Sequence, residues 1–208
     1  FIADKHSVVV TGTHGKTTTS SITAWLLHAA GRDPGFMIGG ITGNFGVNHR
    51  VSDGGVFVVE GDEYDTAYFD KGPKFLHYRP HTASVNNIEF DHADIFSGID
   101  AIEQAFTRFA ALIPSDGTLI IPADDERVAR VASHYPGKVW TFGIDTAADV
   151  IAKGPVAHSR GVDFELVLPG SAPIKTGLSI WGEHNIRNAL TAAALAFDAG
   201  ASAHDIAQ

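Results

Sequence analysis

The residues best equipped for chemistry come early, in "VVVTGTHGKTTTSS" at residues 8–21, where a Gly-Lys-Thr triplet follows an apolar, β-branched run. Gly12 and Gly15 free the backbone to turn its N–H groups toward an anion, and a helix starting there adds its positive dipole end. In such a loop Lys16 reaches the outer phosphates of a nucleotide and the Thr17 hydroxyl serves a magnesium ion. The spacing is irregular, however. The usual signature is G-x-x-x-x-G-K-[ST], and counting back from Gly15 puts Val10 where the first glycine belongs. The alternative is an ordinary strand-to-helix turn capped by threonine.

A phosphate loop that handles magnesium nucleotide needs a carboxylate at the end of a neighbouring strand. "GVFVVEGDEYD" offers Glu60 there, with Asp62, Glu63 and Asp65 close behind. Such a cluster is either a solvated acidic turn or a cation site, and its position after an apolar strand favours the second reading for Glu60. "NNIEFDHADIF" follows the next strand in the same way, bringing Asn86, Asn87, Asp91, His92 and Asp94 to the edge where open α/β sheets bind ligands. Most of the eleven histidines read as structural. His92 stands apart because of its company, since a neutral imidazole can ligate a metal or its water.

The elements that must hold these groups are legible as an alternation of strand and helix, which implies a mostly parallel sheet with right-handed crossovers. "SVVVT", "GVFVVE", "TASVNN" and "GTLIIPA" read as strands. Ile22, Trp25, Leu26 and Ala29 mark one helix face, and Ile99, Ile102, Phe106, Phe109 and Ile113 another. From about Gly137 the texture changes to short strands, "KVWTFG", "VDFELVL" and "IKTGLSIWG", separated by Gly, Pro and Ser; this predicts a small antiparallel β subdomain over 137–181, attached to an α/β core at 1–136. A last helix, with Ile186, Ala189, Leu190, Ala193 and Phe197 on one face, returns to the core over 182–208.

Composition narrows the partners. The 208 residues are 44% hydrophobic and 19% charged without a long apolar run, as expected of a soluble globular protein. A formal net charge of -9 with no basic cluster argues against a nucleic-acid groove or an anionic membrane surface. The lack of cysteine removes disulfides and thiolate zinc sites and suits a reducing cytoplasm. Because the chain opens at Phe1 and runs almost at once into a strand, it reads as an excised piece of a longer polypeptide.

Three stretches taken together, "GTHGKTTT", "VVEGDEYD" with "NNIEFDHADIF", and "GEHNIRNAL", resemble the central ATP-binding domain of the Mur ligases, the cytoplasmic amide-forming enzymes of bacterial cell-wall precursor synthesis. The short loop is a trait of that family. The resemblance implies a P-loop NTPase-like fold and ATP and Mg2+ as cofactors. It implies that Gly12, Thr13, His14, Gly15, Lys16, Thr17 and Thr18 hold the phosphates, and that Thr17 and Glu60 bind one magnesium. It also gives His92 a second magnesium, and sets Asn185 against the adenine with His184 beside it. Lys16, Glu60 and His92 are then the catalytic set. Capping of the last helix is the plainer role for His184 and Asn185.

"DEYDTAYFDKGPKFLHYRP" and "GGITGNFGVN" look most like the branch joining L-alanyl-γ-D-glutamyl-meso-diaminopimelate to UDP-N-acetylmuramate; the branch that adds L-alanine is the nearest alternative. A folylpolyglutamate-type ligase and a non-catalytic nucleotide-binding module are further alternatives. The family implies an N-terminal domain for the UDP-sugar and a C-terminal Rossmann-like domain, so this piece alone is expected to be inactive. Two departures stand out. "SGIDAIEQAFTRFAALIP" has no lysine where several family members carry a carbamylated one, and Gly61 replaces an expected alanine, which should loosen the backbone slightly.

Overall fold

A computed structural model of the chain describes residues 2–90, 96 and 98–208. Val8, Val9 and Val10 are all fully buried, which an uninterrupted apolar strand requires when both faces of its sheet are covered. Val8 and Val10 join a core with Ala24, Leu27, Phe142 and Leu190, whereas Val9 points the other way, toward Phe75, Phe106 and Phe109. The molecule is thus a three-layer α/β/α structure.

The strands are β1 (His6–Thr11), β2 (Gly35–Met37), β3 (His49–Arg50), β4 (Val56–Glu60), β5 (Asp65–Ala67), β6 (Asp70–Pro73), β7 (Thr82–Val85), β8 (Thr118–Pro122), β9 (Lys138–Ile144), β10 (Val150–His158), β11 (Gly161–Val167) and β12 (Ile174–Leu178). The helices are α1 (Lys16–Ala29), α2 (Ile99–Ala110), α3 (Glu126–Ala132), α4 (Glu183–Asp198) and the single-turn α5 (Ala203–Ile206). One sheet runs in the order β12-β11-β10-β9-β8-β7-β1-β4-β2-β3, and β5 and β6 form a separate hairpin. Every pairing from β2 across to β10 is parallel. From β1 the chain leaves by α1 toward β2, and from β7 it leaves toward β8 on the other side. The crevice between the carboxyl ends of β1 and β7 is therefore a topological switch point, where such sheets bind ligands.

Two sequence expectations change in detail. The antiparallel part after residue 137 is narrower than the change of texture suggests: β9 pairs parallel with both β8 and β10, and of the strands in this stretch β10, β11 and β12 pair antiparallel, as a continuation of the main sheet. The strand at β10 is hidden in the sequence by Gly154 and Pro155, and its register with β11 shifts between Lys153 and Val156. The buried face of α1 is also rotated from the apolar stripe. Thr19, Ser20, Thr23, Ala24 and Leu27 are inside, whereas Ile22 and Leu26 are half-buried and Trp25 and Ala29 exposed. Small residues win that face because α1 packs on the alanine-rich α4, and short side chains let two helices approach closely. The Thr23 hydroxyl is satisfied within the helix, donating to the Thr19 carbonyl at 2.8 Å. Among the described residues no helix is long and apolar enough to cross a membrane.

Candidate nucleotide site

The loop between β1 and α1 is built around two glycines that no other residue replaces easily. Gly12 has φ 125°, and a Cβ there would lie 2.9 Å from the Asn86 backbone nitrogen and 3.0 Å from that of Asn87. Gly15 precedes α1 with φ 81°, and a Cβ there would sit 2.3 Å from Asn188 Oδ1. No side chain caps this helix, and the first amide to close onto it is that of Thr19, which donates to the Gly15 carbonyl at 2.9 Å. The amides of Lys16, Thr17 and Thr18 come before it and lack helical acceptors, as an anion cradle requires.

Two other loop amides are already used. Thr13 N donates to the Asn87 carbonyl at 3.1 Å, and His14 N donates to Asn87 Oδ1 at 2.8 Å. The Thr13 hydroxyl accepts from Glu89 N at 2.9 Å. Thr13 and His14 thus fasten the loop to the segment after β7. The His14 ring stays exposed, 3.6 Å from Glu89 Oε2. Buried Asn86 donates to Thr19 Oγ1 at 3.1 Å and accepts from Ser84 Oγ at 2.9 Å, tying β7 to α1 beneath the loop.

Thr17 and Glu60, far apart in the chain, meet here. The Thr17 hydroxyl donates to Glu60 Oε1 at 2.9 Å, and Glu60 Oε2 accepts from Gly39 N at 2.7 Å. Hydroxyl and carboxylate oxygens suit a hard divalent cation, which for magnesium needs only one or two protein oxygens beside phosphate and water. No group of three or more His, Cys, Asp or Glu able to hold a metal occurs among the described residues. A nucleotide-linked magnesium fits this pair, and a protein-only metal cage does not. The sequence reading missed Gly39 and Gly40 as parts of this wall: a Cβ at Gly39 would lie 3.0 Å from Glu60 Oε1, and one at Gly40 would lie 3.1 Å from Thr17 Cγ2. Their signal was the paired glycine in "MIGGITG".

Lys16 does not point freely into the loop. Its ammonium donates to the carbonyls of Gly12 (2.8 Å) and Thr13 (3.0 Å) and to Glu63 Oε1 (3.0 Å). Glu63 is among the few buried charged side chains of the described residues, whereas in the sequence it is simply one of four clustered carboxylates.

On the other side of the loop a cleft of about 250 Å³ is lined by His14, Gly15, Phe142, His184, Arg187 and Asn188, among others. His184, expected beside the base from the family resemblance, lines this cleft next to the loop. Asn185 is turned away, with its amide nitrogen donating to the Trp181 carbonyl at 2.7 Å, and no side chain caps the helix. Its neighbour one turn on, Asn188, reaches the loop instead and accepts from Thr19 Oγ1 at 3.3 Å. The i, i+3 spacing of the two asparagines in "HNIRN" was the available clue. Arg187 pins this helix end to the loop after β8 by a two-pronged pair with Asp124, at 2.8 and 2.7 Å. The hydrogen bond to that carboxylate raises the Arg187 pKa further, and the same bond holds Asp124 below the usual carboxylate range. Asp91, His92 and Asp94 lie outside the described residues.

A parallel sheet with an anion loop at its switch point, a lysine and threonine opening the helix, and a carboxylate closing the adjacent strand define a P-loop-type nucleotide-binding domain. The chain matches the Mur ligase middle domain over residues 10–196, and it belongs to that family. It is 36% identical, over 99% of its length, to the UDP-N-acetylmuramate--L-alanyl-gamma-D-glutamyl-meso-2,6-diaminoheptandioate ligase of Escherichia coli (strain K12), and covers 44% of that protein. Identity to the UDP-N-acetylmuramate--L-alanine ligase of Renibacterium salmoninarum is 41% over 94% of this chain and 41% of the other. The crystal structure of the UDP-N-acetylmuramate:L-alanyl-gamma-D-glutamyl-meso-diaminopimelate ligase from Neisseria meningitides superposes with a TM-score of 0.88 at 37% identity, over 99% of this chain and 65% of that one. The chain spans less than half the length of these two curated relatives.

Proposed function

We propose that this chain is the ATP-binding domain of a cytoplasmic ligase that joins L-alanyl-γ-D-glutamyl-meso-diaminopimelate to UDP-N-acetylmuramate in cell-wall peptide recycling. The observation that carries the reading is the 2.9 Å contact between the Thr17 hydroxyl and Glu60, directly beside the Gly12–Gly15 loop. An oxygen pair of a kind that suits magnesium, lying beside the loop, supports an outer-phosphate site there.

In this reading the first-turn amides and Lys16 hold the β- and γ-phosphates while a substrate carboxylate attacks the γ-phosphate, giving an acyl phosphate and ADP. The peptide amine then displaces phosphate to close the amide bond. Lys16 and the helix terminus stabilise charge on the transferring oxygens, the main demand in phosphoryl transfer. Thr17 and Glu60 would hold the nucleotide's magnesium, which neutralises phosphate charge and orients the groups. His92 is assigned to a second magnesium on the family resemblance alone. His184, Phe142 and Asn188 wall the side of the loop on which the base would lie, with Asn185 supporting the helix end.

The UDP-sugar and the peptide need surfaces beyond this chain, which we assign to adjoining N- and C-terminal domains of the same polypeptide. The test is phosphate release by the full-length protein with ATP, UDP-N-acetylmuramate and the tripeptide. Release that requires all three supports the assignment. Release with L-alanine in place of the tripeptide moves the chain to the alanine-adding branch, and nucleotide binding with no release under either acceptor leaves a binding module.

A further inference from the structure

An ammonium group has three N–H donors, and those of Lys16 meet three acceptors: the carbonyls of Gly12 and Thr13, and Glu63 Oε1. Glu63 Oε2 is also only 2.9 Å from the ammonium, and the two side chains are 13% and 4% exposed. The phosphate-loop lysine therefore bonds a phosphate only by giving up a partner. The two carbonyls belong to the loop, and an arriving phosphate oxygen replaces either of them as an acceptor. Taking the ammonium away from Glu63 instead separates a buried ion pair, the costlier change by far.

Resting on the nucleotide reading above, we propose that Glu63 is a positioning residue for phosphoryl transfer. It keeps hold of Lys16 when nucleotide binds, so that the lysine pivots about the carboxylate from the Gly12 and Thr13 carbonyls onto the phosphate. This fixed point sets where the ammonium stands over the transferring group. It also offsets part of the lysine's charge, so Glu63 weakens ground-state nucleotide binding while improving the geometry of the transfer. Two adjacent roles are thereby separated: Glu60, three residues earlier, faces Thr17, and Glu63 faces Lys16.

The two effects have opposite signs, which makes the proposal testable in the full-length protein. Glu63→Gln keeps the size and an acceptor but removes the charge. It is expected to bind ADP with Mg2+ about threefold to tenfold more tightly by titration calorimetry, and to lower kcat by about tenfold or more. Glu63→Asp, which keeps the charge on a shorter arm, is expected to leave ADP affinity within about twofold of wild type and still to reduce kcat. Weaker ADP binding together with lower kcat in Glu63→Gln marks a merely structural role and overturns the proposal, as does no change in either. If Glu63→Gln does not fold, Glu63→Asp decides: an unchanged kcat overturns the idea. A wild-type protein that binds no ADP refutes the underlying nucleotide reading, whereas wild-type binding with unaltered variants refutes only the role of Glu63.

Discussion

Replacing Gly61 by alanine is the sharpest probe of how the β1 and β4 ends hold Glu60. Alanine is the residue expected at this position from the family resemblance, and glycine there looks at first like a loosening. The structure argues the reverse. Gly61 is buried and its amide donates to the Val10 carbonyl at 2.7 Å, so its backbone is fixed against β1. A Cβ at this position would lie 2.5 Å from Thr11 Cγ2, 3.0 Å from Val9 Cγ1 and 3.1 Å from the Val10 carbonyl oxygen. The Thr11 methyl cannot simply rotate away, because its hydroxyl donates to the Ser84 carbonyl at 2.6 Å.

Overpacking of this kind costs about 1–3 kcal/mol, against a gain of about 0.4–1 kcal/mol from the stiffer unfolded chain. A net loss of roughly 1–2 kcal/mol is expected, which for a chain this size lowers Tm by about 2–8 °C. Because Gly61 adjoins Glu60, Gly61→Ala should also weaken Mg-ADP binding more than metal-free ADP binding. Thr11→Ser removes the obstructing methyl and keeps the hydroxyl. The double variant Thr11→Ser/Gly61→Ala should therefore be more stable than the sum of the single effects allows, by about 1 kcal/mol in a double-mutant cycle from urea unfolding. Strict additivity, or a Gly61→Ala variant at least as stable as wild type, would show that the Thr11 methyl does not obstruct a Cβ at this position.

Three further outcomes follow from the geometry. Gly15→Ala combines a positive φ with a Cβ 2.3 Å from Asn188 Oδ1, so it should lose about 1–3 kcal/mol of stability and most ADP affinity, read by denaturation and calorimetry. Glu60→Gln should leave the fold intact and reduce the magnesium dependence of ADP binding, seen by comparing titrations with Mg2+ and with EDTA; an unaltered dependence removes Glu60 from the metal site. The third concerns acid. Burial, and then the nearby His81, lower the pKa of His6 below its ordinary value of 6.5. The unfolded chain therefore takes up a proton that the folded one refuses, and stability should decline as pH falls below 6.5 toward the folded value. His6→Gln, which can still donate to Thr82, should flatten that decline in urea midpoints measured between about pH 7 and pH 5. Asp198 behaves separately. Burial raises its pKa, but bonds from Lys138, Thr82 and Thr118 outweigh this and hold it below 3.8, so its contribution is lost only at still lower pH.

What the sequence made legible and what it hid divide along a physical line. Backbone-driven features were plain: the unalternating valines of β1, the glycines of the loop and the strong apolar stripe of α2 each carry their own periodicity or conformational demand. Thr17 and Glu60 were legible for the same reason, since each sits at the end of an element whose direction is readable. Features created by contact between distant elements were not. Nothing local distinguishes Glu63 from Asp62 or Asp65, and only the approach of α1 buries one carboxylate against Lys16. Asn188 was hidden behind Asn185 because helix phase, rather than residue type, decides which asparagine meets the loop. The rotated face of α1 has the same origin: threonine and serine carry no hydrophobic signal, yet they are the residues small enough to let α4 close on α1. That close approach brings Asn188 to Gly15, so the quietest residues of the helix determine the shape of its phosphate loop.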